Sequence, residues 1–166
     1  MRIFQRLFGV LICLLVLVTG SPLSAQAASS AAIRAYDDVS ADTKDFSGQS
    51  LTQAEFSNAR LVNANFSQTD LRGAVFNGSV LTNANFHGAD FSDGIAYLSD
   101  FSNTDLSDAI FTSAMMLKSS FKNATVTGAD FSFALLDRDQ VVRLCESASG
   151  TNSITGVDTR ESLGCR

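Results

Sequence analysis

The sequence predicts an all-β solenoid: a four-sided β-helix of about five coils, ending in a short α-helical cap stapled by a disulfide. Three observations predict the coils. From Lys44 to Arg138 a centre residue recurs at every fifth position, nineteen times in succession: ten Phe, six Leu, and Ala96, Met116 and Val126. Two residues before each centre stands a small residue, Ala eleven times and Gly, Ser or Thr six times, with only Lys44 and Gln49 as exceptions. The residues after each centre are rich in Ser, Asn, Asp and Gly, which suit turns.

A period of five fits neither ordinary element. On an α-helix it spirals around the axis, and on a flat strand it alternates faces. It is satisfied when the chain bends by a fixed angle every five residues. The small residue and the centre are two apart, so in extended backbone they share the inner face. Four bends close a coil of about twenty residues, and stacked coils pair about 4.8 Å apart. Positions twenty apart then share a wall. Wall one holds Phe46, Phe66, Phe86, Leu106 and Val126; wall two, Leu51, Leu71, Phe91, Phe111 and Phe131; wall three, Phe56, Phe76, Ala96, Met116 and Leu136; wall four, Leu61, Leu81, Phe101 and Phe121. Ala96 leaves a gap that a small pocket or local repacking would fill. Repacking is the better expectation, because interiors hold few voids.

The runs Ala59-Arg60-Leu61, Ala64-Asn65-Phe66, Ala84-Asn85-Phe86, Ala89-Asp90-Phe91 and Ala129-Asp130-Phe131 resemble the A(D/N)(L/F) signature of the pentapeptide repeat protein family. The resemblance covers 44–138. It implies a right-handed quadrilateral β-helix; the hand comes from the family and not from the spacing.

The first 27 residues have the features of a secretory signal peptide. Arg2 and Arg6 precede an apolar run from Leu7 to Val18, too short to span a bilayer comfortably. Ser21-Pro22 breaks the run, and Ala25-Gln26-Ala27 is an A-x-A site, so cleavage is expected after Ala27. Cys13 follows Ile12, unlike a lipoprotein attachment site. Losing Arg2 and Arg6 takes the net charge from −5 to −7. An acidic product argues against nucleic acid and anionic membrane surfaces as partners. Residues 28–43, with Ile33, Tyr36 and Val39 at helix-like spacing, are expected to cap the N-terminal end, since terminal solenoid units need covering.

Beyond the coils, 139–166 reads as the C-terminal cap. Val141, Leu144, Cys145 and Ala148 follow helical spacing, with Gly150 as the stop. Asp158 and Glu161 have capping-box spacing before a second helix, about Thr159 to Leu163, that ends at Gly164. Cys145 and Cys165 are the only cysteines outside the leader, and in an exported protein they are expected to pair. The segment from Leu144 to Cys165, with Thr155-Gly156-Val157-Asp158-Thr159-Arg160, resembles the C-terminal cap of lumenal and periplasmic pentapeptide repeat proteins of cyanobacteria and chloroplasts. With no transit segment ahead of the leader, the resemblance implies a cyanobacterial protein exported to the thylakoid lumen or the periplasm.

The polar positions suggest no enzyme, cofactor or metal. His87 is the only His and follows a centre, so it is expected to face solvent. Asp70, Asp90 and Asp130 fall on wall two, but Ile110 interrupts them and Arg72 lies close, so solvated corner aspartates are expected there. The functional expectation is a rigid protein-binding or scaffold module. Two alternatives stand beside it. A DNA-mimic topoisomerase inhibitor is disfavoured by the leader, and a thiol- or redox-linked protein has no C-x-x-C in its support. The expected contact surface is wall three. There the residues before the centres are Val75, Ile95, Met115 and Leu135, with Tyr97, Leu98 and Leu117 beside them. A protein partner, a second copy, coverage by the N-terminal segment and plain β-propensity are all compatible with this stripe.

Overall fold

The computed structural model describes residues 44–166. The leader 1–27, its cleavage site after Ala27 and the cap segment 28–43 with Ile33, Tyr36 and Val39 lie outside the described residues.

Each pentad is a short extended piece followed by a tight turn. The second residue after every centre from Phe46 to Phe131 has a left-handed backbone, with φ between 55° and 72°. Five of these eighteen corners are Gly and seven are Asn or Asp, the residues that tolerate this region best. Most turns close with the amide three residues beyond the centre donating back to its carbonyl, as from Ala64 N to Leu61 O at 3.1 Å. Four corners return the chain to its starting wall. Fifteen parallel bridges accordingly join residues twenty apart, from Asp45–Asn65 to Met115–Leu135. The bridging residue is always the one before a centre. Its amide donates one coil back and the centre's amide one coil forward: Val75 N to Ala54 O at 2.9 Å, Phe76 N to Ile95 O at 2.8 Å.

The centres fill the inside. Sixteen of the nineteen are buried; Phe46 and Leu51 in the first coil and Leu136 in the last are half-buried. Aromatic centres stack along the walls, Phe46 on Phe66 at 4.8 Å and Phe56 on Phe76 at 4.7 Å between ring centroids. Opposite walls meet edge to face across the interior, as Phe66 of wall one and Phe76 of wall three do at 5.4 Å. Small residues on the inner face let the walls approach. Where the small residue carries a hydroxyl, it donates to a centre's carbonyl: in the preceding coil for Thr69 to Phe46 O at 2.8 Å and Ser99 to Phe76 O at 2.6 Å, and within its own turn for Thr104 to Phe101 O at 2.6 Å. No buried hydroxyl of this set is left bare, which removes a cost of about 1–3 kcal/mol for each.

The gap at Ala96 is filled by repacking. Phe91 leaves the stacking pattern, lying at 70° to Phe111, and its ring sits 5.6 Å from that of Phe76 on wall three. Gly94 makes this possible, because a Cβ there would lie 2.4 Å from the Phe91 ring.

Helix α1 spans Arg138–Ser147 and helix α2 spans Thr159–Leu163. Leu144 and Leu163 are buried against the last coil. Asp158 caps α2, accepting from Arg160 N at 2.9 Å and Glu161 N at 3.1 Å, and Gly164 ends it at φ 68°. Cys145 and Cys165 are bonded, with Cα atoms 5.6 Å apart. One expectation is corrected. Gly150 does not stop α1, which ends in extended backbone at Ala148. Gly150 instead, at φ 83°, lies against the Thr127–Gly128 corner, where a Cβ would meet Gly128 N at 3.1 Å.

The cap also takes the place of a missing coil. In the ladder, each centre's amide donates to the carbonyl nineteen residues on. At the last coil Gln140 Oε1 accepts from Phe121 N and Asp137 Oδ2 accepts from Lys118 N, side chains standing where backbone carbonyls would be. Ser162 Oγ accepts from Phe131 N at 3.0 Å, and Ser149 O from Gly128 N at 2.8 Å.

Two outcomes are expected. Phe86→Ala should lower stability by about 3–5 kcal/mol and His87→Ala by no more than about 0.5, since Phe86 is buried and His87 exposed. Urea midpoints for the two variants test this, and equal midpoints would refute the inward register. Cys145→Ser should remove about 3 kcal/mol of chain-entropy stabilisation from the cap and leave the coils folded. Limited proteolysis should then cut within 146–166 while 44–137 resists.

Candidate protein-binding interface

The bridging residue before each centre points outward, so each wall presents one column of side chains at the coil spacing. Wall one presents Asp45, Asn65, Asn85, Asp105 and Thr125, and wall four presents Arg60, Val80, Asp100 and Ser120. Many of these polar side chains serve their own turn. Asp45, Asn65, Asn85, Asp100 and Asp105 each accept a hydrogen bond from the amide two residues later. The Ser47 amide and hydroxyl hold the Asp45 carboxyl below the ordinary carboxylate range.

Wall two does not form a continuous acidic track. Arg72 pairs with Asp70 at 2.7 Å and lies 3.9 Å from Asp90. Its hydrogen bond to Asp70 holds that carboxyl below its ordinary value. Ile110 and Asp130 are buried, and Asp130 is only 2% exposed, which corrects the expectation of a solvated aspartate there. Asp130 accepts from Ser132 N at 2.8 Å. The C-terminal segment also reaches the neighbouring corner, where Asn152 donates to Gly128 O at 2.9 Å and to Asp108 O at 3.0 Å in successive coils.

Wall three has a different character. The structure brings together all seven residues singled out from the sequence. Val75, Ile95, Met115 and Leu135 form one bridged column. Leu98, Met115 and Leu135 are 58%, 39% and 50% exposed; Val75, Ile95, Tyr97 and Leu117 are half-buried. Lys118 lies over the Tyr97 ring at 5.5 Å. Sequence reasoning missed Phe133, which is 85% exposed at the edge between walls two and three. Its signal was available: Phe4 and Phe8 lie in the leader, ten Phe are centres, and Phe133 is the one that remains.

Phe133 and Leu98 are also conformationally unusual. Both occupy left-handed corners, at φ 60° and 58°. A bulky apolar residue is an outlier there, at a cost of roughly 1–2 kcal/mol. Each is exposed, so burial does not offset that cost.

The remaining candidates are quickly placed. His87 is exposed on a corner. Among the described residues, no group of three His, Cys, Asp or Glu side chains is placed to hold a metal ion. A cleft of about 620 Å³ lies at α1 and α2, lined by Arg138, Val141, Val142, Arg160 and the Cys145–Cys165 bridge. Arg160 donates across it to Cys145 O at 2.7 Å and so ties the two helices. No described helix is long and apolar enough to cross a membrane.

The match to a family model agrees with the five-residue repeat. The pentapeptide repeats model matches in eight copies over residues 44–68, 59–94 and 99–137. The thylakoid lumenal protein TL20.3 of Arabidopsis thaliana is 60% identical over 40 residues, 24% of this chain and only 14% of that protein's length. Among solved structures, a pentapeptide repeat protein from the Arabidopsis thaliana thylakoid lumen is 34% identical; the match covers 77% of this chain and 94% of that one, with a TM-score of 0.38. HetL, a pentapeptide repeat protein involved in heterocyst differentiation regulation in Nostoc, is 22% identical over 54% of this chain and 48% of its own, with a TM-score of 0.37. Five-residue repeats unbroken from 44 to 138, matched by the family model over more than half of the chain, place it: this chain belongs to the pentapeptide repeat family.

Proposed function

We propose that this chain is an exported, non-enzymatic scaffold that binds protein through wall three. The observation that carries the reading is the apolar column Val75–Ile95–Met115–Leu135, edged by Leu98 and Phe133, on a protein whose other walls are polar or acidic. A contiguous exposed apolar patch on a soluble protein marks an interface more often than scattered apolar residues do. The right-handed hand, the leader 1–27 with cleavage after Ala27 and an N-terminal cap at 28–43 belong to the same reading. The lumenal names of the two Arabidopsis relatives support an exported setting, lumen or periplasm. The solenoid gives the surface rigidity. Each column residue is fixed by two ladder hydrogen bonds to the preceding coil, and its two neighbours in the chain by bonds to the next coil, so little ordering entropy is lost on binding.

A DNA-mimic role is weakened by the geometry of wall two. Arg72 neutralises part of the acidic column, Ile110 interrupts it and Asp130 is buried. A thiol-exchange role finds its cysteines already bonded and holding the cap.

The test is the pair Ile95→Asp with Met115→Asp in one chain. Both side chains leave the wall outward, so melting should change little, while chemical cross-links to protein made by the exported chain should disappear. Unfolding of the double variant would mean that the stripe is part of the chain's own core, covered by its own residues. Undiminished cross-linking from a folded variant would refute wall three as the interface.

A further inference from the structure

We propose that the occupant of wall three is a second copy of this chain, packed antiparallel about a twofold axis midway between the Ile95 and Met115 rungs. This rests on the reading of wall three as an interaction surface and names its partner. Three observations carry it: register, charge and area.

The wall is complementary to itself in this one register. The axis sets Ile95 against Met115 of the partner subunit, and Val75 against the partner's Leu135. At the edge between walls two and three, the corner residues run Gly73, Asp93, Ser113 and Phe133, one for each successive coil. The same axis sets Phe133, the most exposed ring of the described residues, against the partner's Gly73. Gly73 has no side chain, and even a Cβ there would meet only Gln53 Cγ at 3.4 Å. A protruding ring meets a bare corner, twice in the dimer. Asp93 meets the partner's Ser113, a donor for its carboxylate.

The neighbouring registers are disfavoured by charge. An axis through the Ile95 rung sets Asp93 against its own copy. An axis through the Met115 rung sets Lys118 against its own copy and drives Phe133 onto Asp93. Like charges facing each other across an interface oppose association, and here they exclude a one-coil slip to either side. The other walls bring carboxylates together, since Asp45 and Asp105 lie on wall one and Asp70 and Asp90 on wall two. Wall three has one acid in its column, Glu55 at the end.

The area suffices. A fully exposed large side chain offers roughly 150–250 Å², so Leu98, Met115, Phe133 and Leu135 together present on the order of 400 Å². With the half-buried Val75, Ile95, Tyr97 and Leu117, two copies reach the low end of specific interfaces, about 1,200 Å² in total. A matching coil repeat is guaranteed in a second copy, whose rungs have the same spacing.

Sedimentation equilibrium of the full chain tests this, with thermal melting measured beside it. The wild type should sediment at twice the chain mass. Phe133→Asn should weaken association at least about tenfold and leave melting unchanged or higher, because Asn accepts the left-handed corner that strains Phe. Gly73→Asn, equally tolerant of that corner, should fill the seat and weaken association as well. A merely strained surface Phe would raise the melting point of Phe133→Asn and move no mass. A wild type that remains monomeric at about 0.1 mM overturns the proposal, as does a dimer insensitive to both substitutions. A monomer whose cross-links to a different protein vanish with Ile95→Asp and Met115→Asp overturns the second copy and leaves the interaction surface standing.

Discussion

The structure depends on a left-handed residue at every fifth position. That backbone, near φ 60°, turns the chain through the same angle eighteen times, and four such turns make twenty residues. Everything else follows from the closure. The twenty-residue return aligns each bridging residue with its counterpart in the next coil, which satisfies the backbone between coils. It stacks Phe on Phe at the coil spacing, near the distance that aromatic pairs favour. It also sets the small residue beneath each centre, where Ala lets the walls close and Ser or Thr bonds a centre's carbonyl. A corner that lost its conformation would shift every later residue off its wall.

The corner requirement also explains which residues stand out. Gly, Asn and Asp satisfy it cheaply, and they occupy twelve of the eighteen corners. Gln, Ser and Lys accept a modest strain in exposed positions. Leu98 and Phe133 accept the largest, with no burial to offset it, and both edge the one apolar wall. Strain retained where it brings no packing is most readily understood through what the side chain meets outside the chain.

A solenoid has ends, and the C-terminal end of this one is managed by chemistry different from that of its middle. The last coil has no successor to accept its amides. Gln140, Asp137, Ser149 and Ser162 accept them instead, three through side chains and one through backbone. Two helices of ten and five residues cannot bury much apolar surface alone. Leu144 and Leu163 anchor them from below, and the Cys145–Cys165 bridge with the Arg160–Cys145 hydrogen bond holds them to each other. The staple therefore protects the hydrogen bonding of the final coil as well as the helices.

The sequence by itself determined the repeat, the register, the inward centres, the two helices and the cysteine pair. Strict periodicity is a local property repeated, so nineteen pentads overdetermine one another and a slip of a single residue would turn every Phe outward. It likewise determined that Val75, Ile95, Met115 and Leu135 share a column, because positions twenty apart have no other place to go. Only the tertiary structure decided what depends on contacts between distant segments. Gly150 reads as a helix stop in sequence and is a packing glycine in space, because the Thr127–Gly128 corner lies against it. Asp130 reads as a solvated repeat residue like Asp70 and is buried, because the outer face of wall two is closed off at the last coil. The space at Ala96 is closed by Phe91 of the neighbouring wall, which no period reveals. Phe133 carried its signal in plain view as the Phe outside both leader and pattern, and its exposure and left-handed backbone became visible only in three dimensions.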